Sequence, residues 1–272
     1  MSMKRVIAIV GMPRSGTSFV GQIFDSHYDT VFRMEPLFAY KLKNMIDEHS
    51  TKEECMDFLQ KAYDSDEDYF MNQLDKRESG SYPIFQKKHK DILVIKTTRF
   101  HEMLPLFLKY FDEDFLKVVS IVRHPAGSVS SWINHPREFP KGSDYRQEWR
   151  SGSCKKTAKE EYWGFDDWKK VMQQHLELEQ RYAHFKIFQY EHLVNDIHNE
   201  TSKLFEFTGL EMNEQTRQFL IDSQSKNIQD PYAVFKDKSV TLKWKRELDE
   251  DIQKTIIQEI EGTVLEKFLV EL

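Results

Sequence analysis

The fold follows from one stretch of the chain, Gly11-Met-Pro-Arg-Ser-Gly-Thr-Ser18. Before it runs the apolar segment Val6-Ile-Ala-Ile-Val10, typical of a buried parallel strand, and after it Phe19-Val-Gly-Gln-Ile-Phe24, whose apolar spacing suits a helix. A strand, a glycine-bearing turn and a helix start together present backbone N–H groups and a positive dipole end to an anion. The stretch therefore predicts a loop that cradles a phosphate group.

This loop lacks the lysine that usually accompanies such a turn. Its spacing fits the pattern G-x-x-x-x-G-K-[ST], but Thr17 stands where the lysine should be. Kinases and NTPases place that lysine on the β- and γ-phosphates beside Mg²⁺. Arg14 is the replacement cation, and an arginine with three hydroxyls suits a phosphosulfate, which carries less charge and needs no metal. A degenerate phosphotransferase loop and a plain glycine turn are the alternatives.

The composition limits the class of protein. The 272 residues, 39% of them hydrophobic, are enough for one α/β domain spanning 1–272. A net charge of −6 argues against a nucleic-acid-binding surface, so an anion site must be local. Two cysteines, Cys55 and Cys154, indicate neither a disulfide framework nor a cysteine zinc site. Without an apolar signal region or a membrane-length run, we expect a cytoplasmic protein with no membrane segment.

Short apolar runs alternate with helical patterns along the chain. Strands are predicted at 6–10, 92–95, 116–122 and 185–189, and a short extended piece at 30–34. Helices are predicted at 19–24, 37–49, 52–63, 103–110, 126–133 and 158–182, and over the remainder apart from loops near Asp230 and Ser239. The stretches 64–90 and 134–153 read as loops. This order predicts an α/β fold with a central parallel sheet flanked by helices.

Ligands of such sheets bind at the carboxyl ends of the strands. Arg14, Glu35, Lys96, Arg123 and Tyr190 each lie at or just after the end of a predicted strand. We therefore expect these five side chains on one edge of the sheet, which we call the strand-end rim.

A second motif is Val122-Arg-His-Pro-Ala-Gly-Ser-Val-Ser-Ser131. Arg123 ends a predicted strand, and Ser131 lies about two turns into the following helix, so both could reach one phosphate. Taken alone, an arginine at a strand end followed by proline is common on surfaces. A donor with a phosphosulfate at one end and a 3′-phosphate at the other would need both this motif and the Arg14 loop.

Three segments of the chain resemble segments of the sulfotransferases. Pro13-Arg-Ser-Gly-Thr-Ser18 resembles their 5′-phosphosulfate loop, and Arg123 with Ser131 resembles their 3′-phosphate motif. Phe188-Gln-Tyr-Glu-His-Leu-Val194, leading to Phe207-Thr-Gly-Leu210, is similar to their third shared segment. The stretch 14–38 most resembles carbohydrate sulfotransferases, while other pieces are similar to the protein-tyrosine enzymes. The resemblance implies a P-loop-like domain that transfers a sulfuryl group from 3′-phosphoadenosine 5′-phosphosulfate (PAPS) without a metal and releases adenosine 3′,5′-bisphosphate (PAP).

The resemblance also implies the donor ligands, residue by residue. They are Arg14, Ser15, Gly16, Thr17 and Ser18 for the phosphosulfate, Arg123 and Ser131 for the 3′-phosphate, and Tyr190 and Lys243 for the nucleotide. Tyr190 could instead be a core tyrosine, and Lys243 could be a solvated surface lysine. The segment around Lys243 lacks the glycine-rich closing motif of the cytosolic small-molecule enzymes.

Two residues are predicted to carry the chemistry. Glu35, directly before Pro36, is the candidate general base for an acceptor hydroxyl, and it matches a glutamate that family members use in this way. Lys96 is the candidate cation for the charge that builds on the oxygen between phosphate and sulfur. Arg99 could share that work or bind an anionic acceptor. A helix-capping carboxylate and a simple ion pair are the alternatives for Glu35 and Lys96.

A histidine could be the base instead, and His101, His124 and His135 all fall near the expected rim. The acceptor is expected to be a glycan or a small molecule, with a carbohydrate first because of Glu35-Pro-Leu37 and the tryptophans at 132, 149, 163 and 168. These indoles could wall the acceptor site or pack inside helices. A tyrosine peptide, a small metabolite, a P-loop phosphotransferase and a nucleotide-binding module without chemistry remain alternatives.

Overall fold

The structure, a computed structural model, describes residues 2–39, 41–66, 68–225 and 241–270. Its centre is one five-stranded sheet in the order β2-β3-β1-β4-β5, in which every recorded pairing is parallel. The strands are β1 Arg5–Val10, β2 Thr30–Met34, β3 Ile92–Thr97, β4 Leu116–Val122 and β5 Phe185–Gln189. The predicted α/β fold with a central parallel sheet is confirmed.

Helices follow the strands along the chain. In the first half they are α1 Thr17–Asp25, α2 Lys52–Asp64, α3 Leu74–Glu78, α4 Leu104–Tyr110 and α5 Pro125–Ile133. In the second half they are α6 Tyr145–Ser151, α7 Gly164–Arg181, α8 Tyr190–Asn195, α9 Ile197–Thr208, α10 Glu214–Ser225, α11 Trp244–Glu247 and α12 Glu250–Ile260. Short 3₁₀ turns occupy His101–Met103 and Glu266–Phe268. No helix in the described part of the chain is long and apolar enough to span a bilayer.

The sheet is buried on both faces because its strands are apolar throughout. On β1, Val6 and Ala8 belong to the apolar cluster that includes α2 and α4. Ile7 and Ile9 belong to the cluster on the other face, with α1 and α9. This alternation is the period of two that a pleated strand imposes. Helices on both faces of a parallel sheet account for the near-continuous apolar runs in the sequence.

The four tryptophans between 130 and 170 are all buried, at positions 132, 149, 163 and 168. Trp149 and Trp168 stack on the same ring, that of Phe165, and join a third apolar cluster with α5 and α12. Trp132 packs against Trp163, with ring centroids 5.5 Å apart. The indoles therefore pack inside the protein and do not form an exposed acceptor wall.

Some of the expected elements differ from the structure. The helix expected at 37–49 is a series of turns in the described residues, since its hydrogen bonds close tight turns and Asn44 has a φ of 58°. The loop expected at 134–153 contains α6, whose first turn is capped by the Asp144 side chain. The helix expected at 158–182 begins only at Gly164, as α7. Gly164 has a φ of 80°, and a helix cannot continue through a residue with that conformation. The loops expected near Asp230 and Ser239 lie outside the described residues.

The 64–90 segment carries a short helix, α3, and is tied to the end of α1 by a buried carboxylate. The Asp25 carboxylate forms one ion pair with Arg77 at 2.6 Å and another with Lys87 at 2.9 Å. Arg77 also donates to the carbonyl oxygen of Pro83 at 2.7 Å. This polar segment is therefore attached to the helix that begins at the glycine turn.

Candidate active site

The five residues expected on the strand-end rim do lie at one edge of the sheet. All five strands run parallel, and β1 sits between β3 and β4. Arg14 follows β1, Glu35 follows β2 and Arg123 follows β4. Lys96 is the penultimate residue of β3, and Tyr190 begins α8 directly after β5. The parallel order thus brings the ends of all five strands to one side of the molecule.

The glycine turn between β1 and α1 is shaped for an anion. Gly16 is the N-cap of α1 with a φ of 97°, and no side chain caps this helix. The backbone N–H groups of the first turn therefore face outward for a negatively charged group. Ser15 closes the turn by donating to the carbonyl oxygen of Met12 at 2.7 Å. Arg14 adopts a left-handed φ of 69°, a conformation that costs energy and is often found at functional sites.

The Arg14 loop and the Arg123 motif are in direct contact. Arg14 Nε donates to Ser131 Oγ on α5 at 3.4 Å, and an Arg123 guanidinium nitrogen donates to the carbonyl oxygen of Arg14 at 3.3 Å. Arg123 is largely buried. Two cationic groups that are more than a hundred residues apart in sequence thus form one continuous surface suited to two linked anions.

Tyr190 lies between these two cationic groups. A Cβ atom placed on Gly16 would lie only 2.2 Å from the Tyr190 ring, so the ring packs directly on the turn. The Arg123 guanidinium lies 5.2 Å from the centroid of the same ring, a distance at which a cation and an aromatic face attract. Burial raises the pKa of the Tyr190 hydroxyl, although the Arg123 charge opposes this. Tyr190 is therefore packed in place, and its ring borders both the Arg14 loop and the Arg123 motif.

Lys243 is exposed, and the residue after it positions this part of the chain. Trp244 is buried and stacks on His124, the neighbour of Arg123, with ring centroids 4.5 Å apart. A Cβ atom on Gly127 would lie 3.0 Å from Arg123 Nε and 3.5 Å from the Trp244 ring. The start of α11 therefore lies beside the Arg123 motif.

Glu35 is held by a dense set of donors. Its Oε1 atom accepts from Lys96 Nζ at 3.0 Å, from the Thr98 backbone N–H at 2.9 Å and from the Thr98 hydroxyl at 2.7 Å. Its Oε2 atom accepts from the Thr97 hydroxyl at 2.9 Å. Arg99 lies 3.7 Å from Oε1. Glu35 also has a left-handed φ of 44°, which turns its side chain toward the end of β3.

The pair formed by Glu35 and Lys96 is almost completely buried, with exposed fractions of 2% and 4%. Burial would raise the pKa of Glu35, but the charges of Lys96 and Arg99 and the hydrogen bonds hold that pKa below its usual value. Burial lowers the pKa of Lys96, and the Glu35 carboxylate opposes this effect. In this state the carboxylate is ionised and neutralised by Lys96, so its affinity for a proton is low.

The three candidate histidines are packed in other ways. His101 is fully buried, burial lowers its pKa to about 4, and its Nδ1 lies 3.2 Å from His175 Nε2. His124 stacks on Trp244. His135 Nδ1 accepts backbone N–H groups of the turn that follows it, at 3.2 and 3.1 Å. Of these four candidate bases, Glu35 is the one paired with Lys96.

Several residues of the site were not expected from the sequence. Thr97 and Thr98 hold the Glu35 carboxylate, and Glu161 forms an ion pair with Arg99 at 3.4 Å. Glu191 is buried and accepts the backbone N–H of His124 at 3.0 Å, and burial raises its pKa. Thr97 is the last residue of β3 and Thr98 follows it, and that position could have suggested them. Within the described residues, no group of three or more His, Cys, Asp or Glu side chains could hold a metal ion.

The chain has similarities to known proteins in both sequence and fold. The family model described as "Sulfotransferase domain" matches residues 4–268. A search of curated proteins finds no significant match. Among solved structures, the chain is similar to mouse sulfotransferase SULT7A1 complexed with PAP, at 15% identity and a TM-score of 0.57, covering 98% of this chain and 89% of that one.

Two further solved structures have similar folds. The sulfotransferase domain of the olefin synthase from Synechococcus PCC 7002 is 16% identical with a TM-score of 0.58, covering 100% of this chain and 97% of that one. Retinol dehydratase, in complex with androsterone and the inactive cofactor PAP, is 15% identical with a TM-score of 0.55, covering 97% of this chain and 83% of that one.

Proposed function

The chain belongs to the sulfotransferase family, and from this we propose that the strand-end rim transfers a sulfuryl group from PAPS to an acceptor hydroxyl and releases PAP. Two of the similar solved structures, the mouse enzyme and retinol dehydratase, contain PAP. In this proposal the phosphosulfate binds to the turn formed by Arg14, Ser15, Gly16, Thr17 and Ser18. The 3′-phosphate binds to Arg123 and Ser131, and Tyr190 and Lys243 contact the nucleotide.

The observation that carries the proposal is the direct contact between the two cationic elements. Arg14 reaches Ser131, and Arg123 reaches the backbone of Arg14. A nucleoside triphosphate has its charge on one linear chain and relies on a lysine and Mg²⁺ at the turn. A donor with phosphate groups at both the 3′ and 5′ positions instead needs two adjacent cationic elements, and this rim provides them.

Glu35 and Lys96 would then divide the chemistry. Glu35 Oε2 has one recorded donor, whereas Oε1 has three, so we propose that Oε2 takes the proton of the acceptor hydroxyl. The acceptor oxygen forms a bond to sulfur as the bond from sulfur to the bridging phosphate oxygen breaks. Lys96 and Arg14 stabilise the electron pair that stays on that oxygen, and the backbone N–H groups of the turn hold the sulfuryl oxygens.

These two roles require the Glu35–Lys96 ion pair to open. Lys96 cannot neutralise the carboxylate and the leaving phosphate to the same extent, because one ammonium charge is shared between them. We propose that Lys96 turns toward the phosphosulfate once the donor is bound. Loss of this partner raises the proton affinity of Glu35. The base would thus become effective only when a donor is present to use the proton it removes.

The acceptor proposed is a hydroxyl on a carbohydrate. Its support is the Glu35-Pro-Leu37 segment, since the buried tryptophans give none. We also propose a cytoplasmic location, with which two free cysteines, Cys55 and Cys154, are compatible.

Donor binding is the first experiment. We expect PAP to raise the melting temperature, with a stabilisation of about 2.7 kcal/mol at a concentration one hundred times its Kd. Mg-ATP at the same concentration should have a much smaller effect, because the Arg14 loop has Thr17 where a lysine would bind the ATP phosphates. Thermal denaturation with each nucleotide measures this difference. Equal or greater stabilisation by Mg-ATP would contradict the proposed donor.

A further inference from the structure

Three exposed aromatic side chains lie in two short stretches beside Glu35. Phe38 and Phe70 are 40% and 41% exposed, and Tyr69 is 53% exposed. The Phe38 and Phe70 rings are in contact, with centroids 5.9 Å apart and planes inclined by 57°. The other large hydrophobic side chains exposed in the described residues are aliphatic, namely Ile84, Ile221 and Val264. Exposed apolar surface gathered in this way often marks a binding site. We call Phe38, Tyr69 and Phe70 the aromatic platform.

The aromatic platform is continuous with the proposed base. The Phe38 backbone N–H donates to the carbonyl oxygen of Glu35 at 2.9 Å. The Arg99 guanidinium lies 4.2 Å from the centroid of the Phe38 ring and 3.7 Å from Glu35 Oε1. One guanidinium group thus separates the first ring from the carboxylate. A molecule that lies on the platform would have one edge near the base.

The second half of the platform is fixed to the sheet. The Met34 backbone N–H, at the end of β2, donates to the carbonyl oxygen of Met71 at 2.9 Å. The buried Gln73 side chain donates to the carbonyl oxygen of Phe70. The residues that carry the Tyr69 and Phe70 rings are therefore positioned by the same strand that precedes Glu35.

Charged groups lie beside the Phe38 and Tyr69 side chains. Arg99 Nε pairs with Glu161 Oε1 at 3.4 Å, and the Tyr69 hydroxyl donates to Glu78 Oε2 at 3.2 Å. Such a surface suits a ring that has one apolar face and a polar edge, because both parts find partners. A pyranose has this character, with C–H groups on its face and hydroxyl groups around its edge. An unsubstituted aryl ring would leave the charged edge without partners.

We infer that the aromatic platform is the acceptor subsite and stacks the apolar face of a pyranose ring. Arg99 and Glu161 contact hydroxyl groups at the edge of that ring, and one further hydroxyl is directed at Glu35. The inference rests on the proposed function, since it takes Glu35 as the base. It adds the residues that select the acceptor.

The test compares Phe70→Ala with the wild type and with Ile221→Ala, which removes an exposed apolar side chain on α10. Initial rates with PAPS are measured on a methyl pyranoside, on the linear polyol sorbitol and on benzyl alcohol. For Phe70→Ala we expect KM for the pyranoside to rise about tenfold with kcat changed less than twofold. The sorbitol rates, the Ile221→Ala rates and the melting shift with PAP should stay as in the wild type. Phe70→Tyr should restore the pyranoside KM.

Binding gives a second readout. Saturation-transfer NMR of the pyranoside with protein and PAP should show contact in the wild type and lose it in Phe70→Ala. Equal losses on pyranoside and sorbitol, an equal loss in Ile221→Ala, or a wild type that prefers benzyl alcohol would overturn the inference. A wild type that binds PAP but transfers to none of the three acceptors would also overturn it. Failure to bind PAP would contradict the proposed function itself.

Discussion

At the scale of single residues, Arg123 offers the cleanest separation of the two phosphate positions. Its guanidinium lies between the Arg14 backbone and the Tyr190 ring. If it holds the 3′-phosphate, Arg123→Ala should weaken PAP binding by about 1.5–3 kcal/mol, as for a charge-assisted hydrogen bond. The affinity for adenosine 5′-monophosphate, which lacks the 3′-phosphate, should change little in the same variant. Calorimetric titration of both nucleotides measures the difference.

A matched control for this experiment is Arg146→Ala, since Arg146 is an exposed arginine on α6 that pairs with Asp249. Its substitution should leave both affinities unchanged. If Arg123→Ala weakens both nucleotides equally, Arg123 has a structural role and the 3′-phosphate binds elsewhere.

Residue types and spacing were enough to predict which side chains gather at the rim, but not how they are paired. Arg14 and Arg123 were expected as ligands of separate phosphates, and their mutual contact depends on the left-handed φ of Arg14. The Thr97 and Thr98 hydroxyls reach Glu35 because Glu35 itself has a left-handed φ. A positive φ at a residue other than glycine is set by surrounding structure, so it has no local sequence signal.

At the scale of elements, Asp25 determines how the 64–90 segment attaches to α1. Burial alone would raise its pKa, but Lys87 and Arg77 hold that pKa below its usual value. Asp25→Asn should reduce the free energy of unfolding by about 3–5 kcal/mol at pH 7, because two cations lose their buried partner. Denaturant unfolding measures this loss.

The pH dependence of this loss has a definite sign. A lowered folded-state pKa means that the ion pairs stabilise the protein above the ordinary aspartate pKa, about 3.9. That contribution is lost as the pH falls through the lower folded-state value, so wild type and Asp25→Asn should converge in acid. Asp57→Asn, which removes an exposed pair with Lys61, should cost under about 1 kcal/mol. A similar loss in both variants would mean that the Asp25 cluster contributes no more than a surface pair.

The elements differ in how well the sequence predicts them. The five strands were located closely because each is a short apolar run that ends in polar residues. The helix expected at 37–49 had suitable periodicity, yet its first residues turn sharply after Glu35. The start of α7 was placed too early because Gly164 packs closely on α6, where a Cβ atom would lie 2.5 Å from the Arg150 carbonyl oxygen. That contact is made between helices and leaves no local pattern.

At the scale of the whole molecule, the order of the strands creates the site. Alternating strands and helices predicted a parallel sheet, and parallel strands predicted a rim. The order β2-β3-β1-β4-β5 depends on long-range pairing and could not be predicted from apolar runs. It places β3 between β2 and β1. Lys96, near the end of β3, therefore lies between Glu35, which follows β2, and the Arg14 loop, which follows β1. In the proposed mechanism, this central position lets one ammonium group serve both the base and the leaving phosphate.

The division of roles between Glu35 and Lys96 is the central claim, and turnover of Glu35→Gln tests it most directly. With an ordinary alcohol acceptor and saturating PAPS, we expect kcat to fall by about 10²–10⁴-fold. The PAP melting shift should be nearly unchanged, because Glu35 is not a proposed donor ligand and a glutamine oxygen can still accept from Lys96. A phenol of low pKa, which needs no base, should partly rescue Glu35→Gln but not Lys96→Ala. Near-wild-type turnover of Glu35→Gln on the alcohol would contradict the account and move the search for the base to His101, His124 and His135.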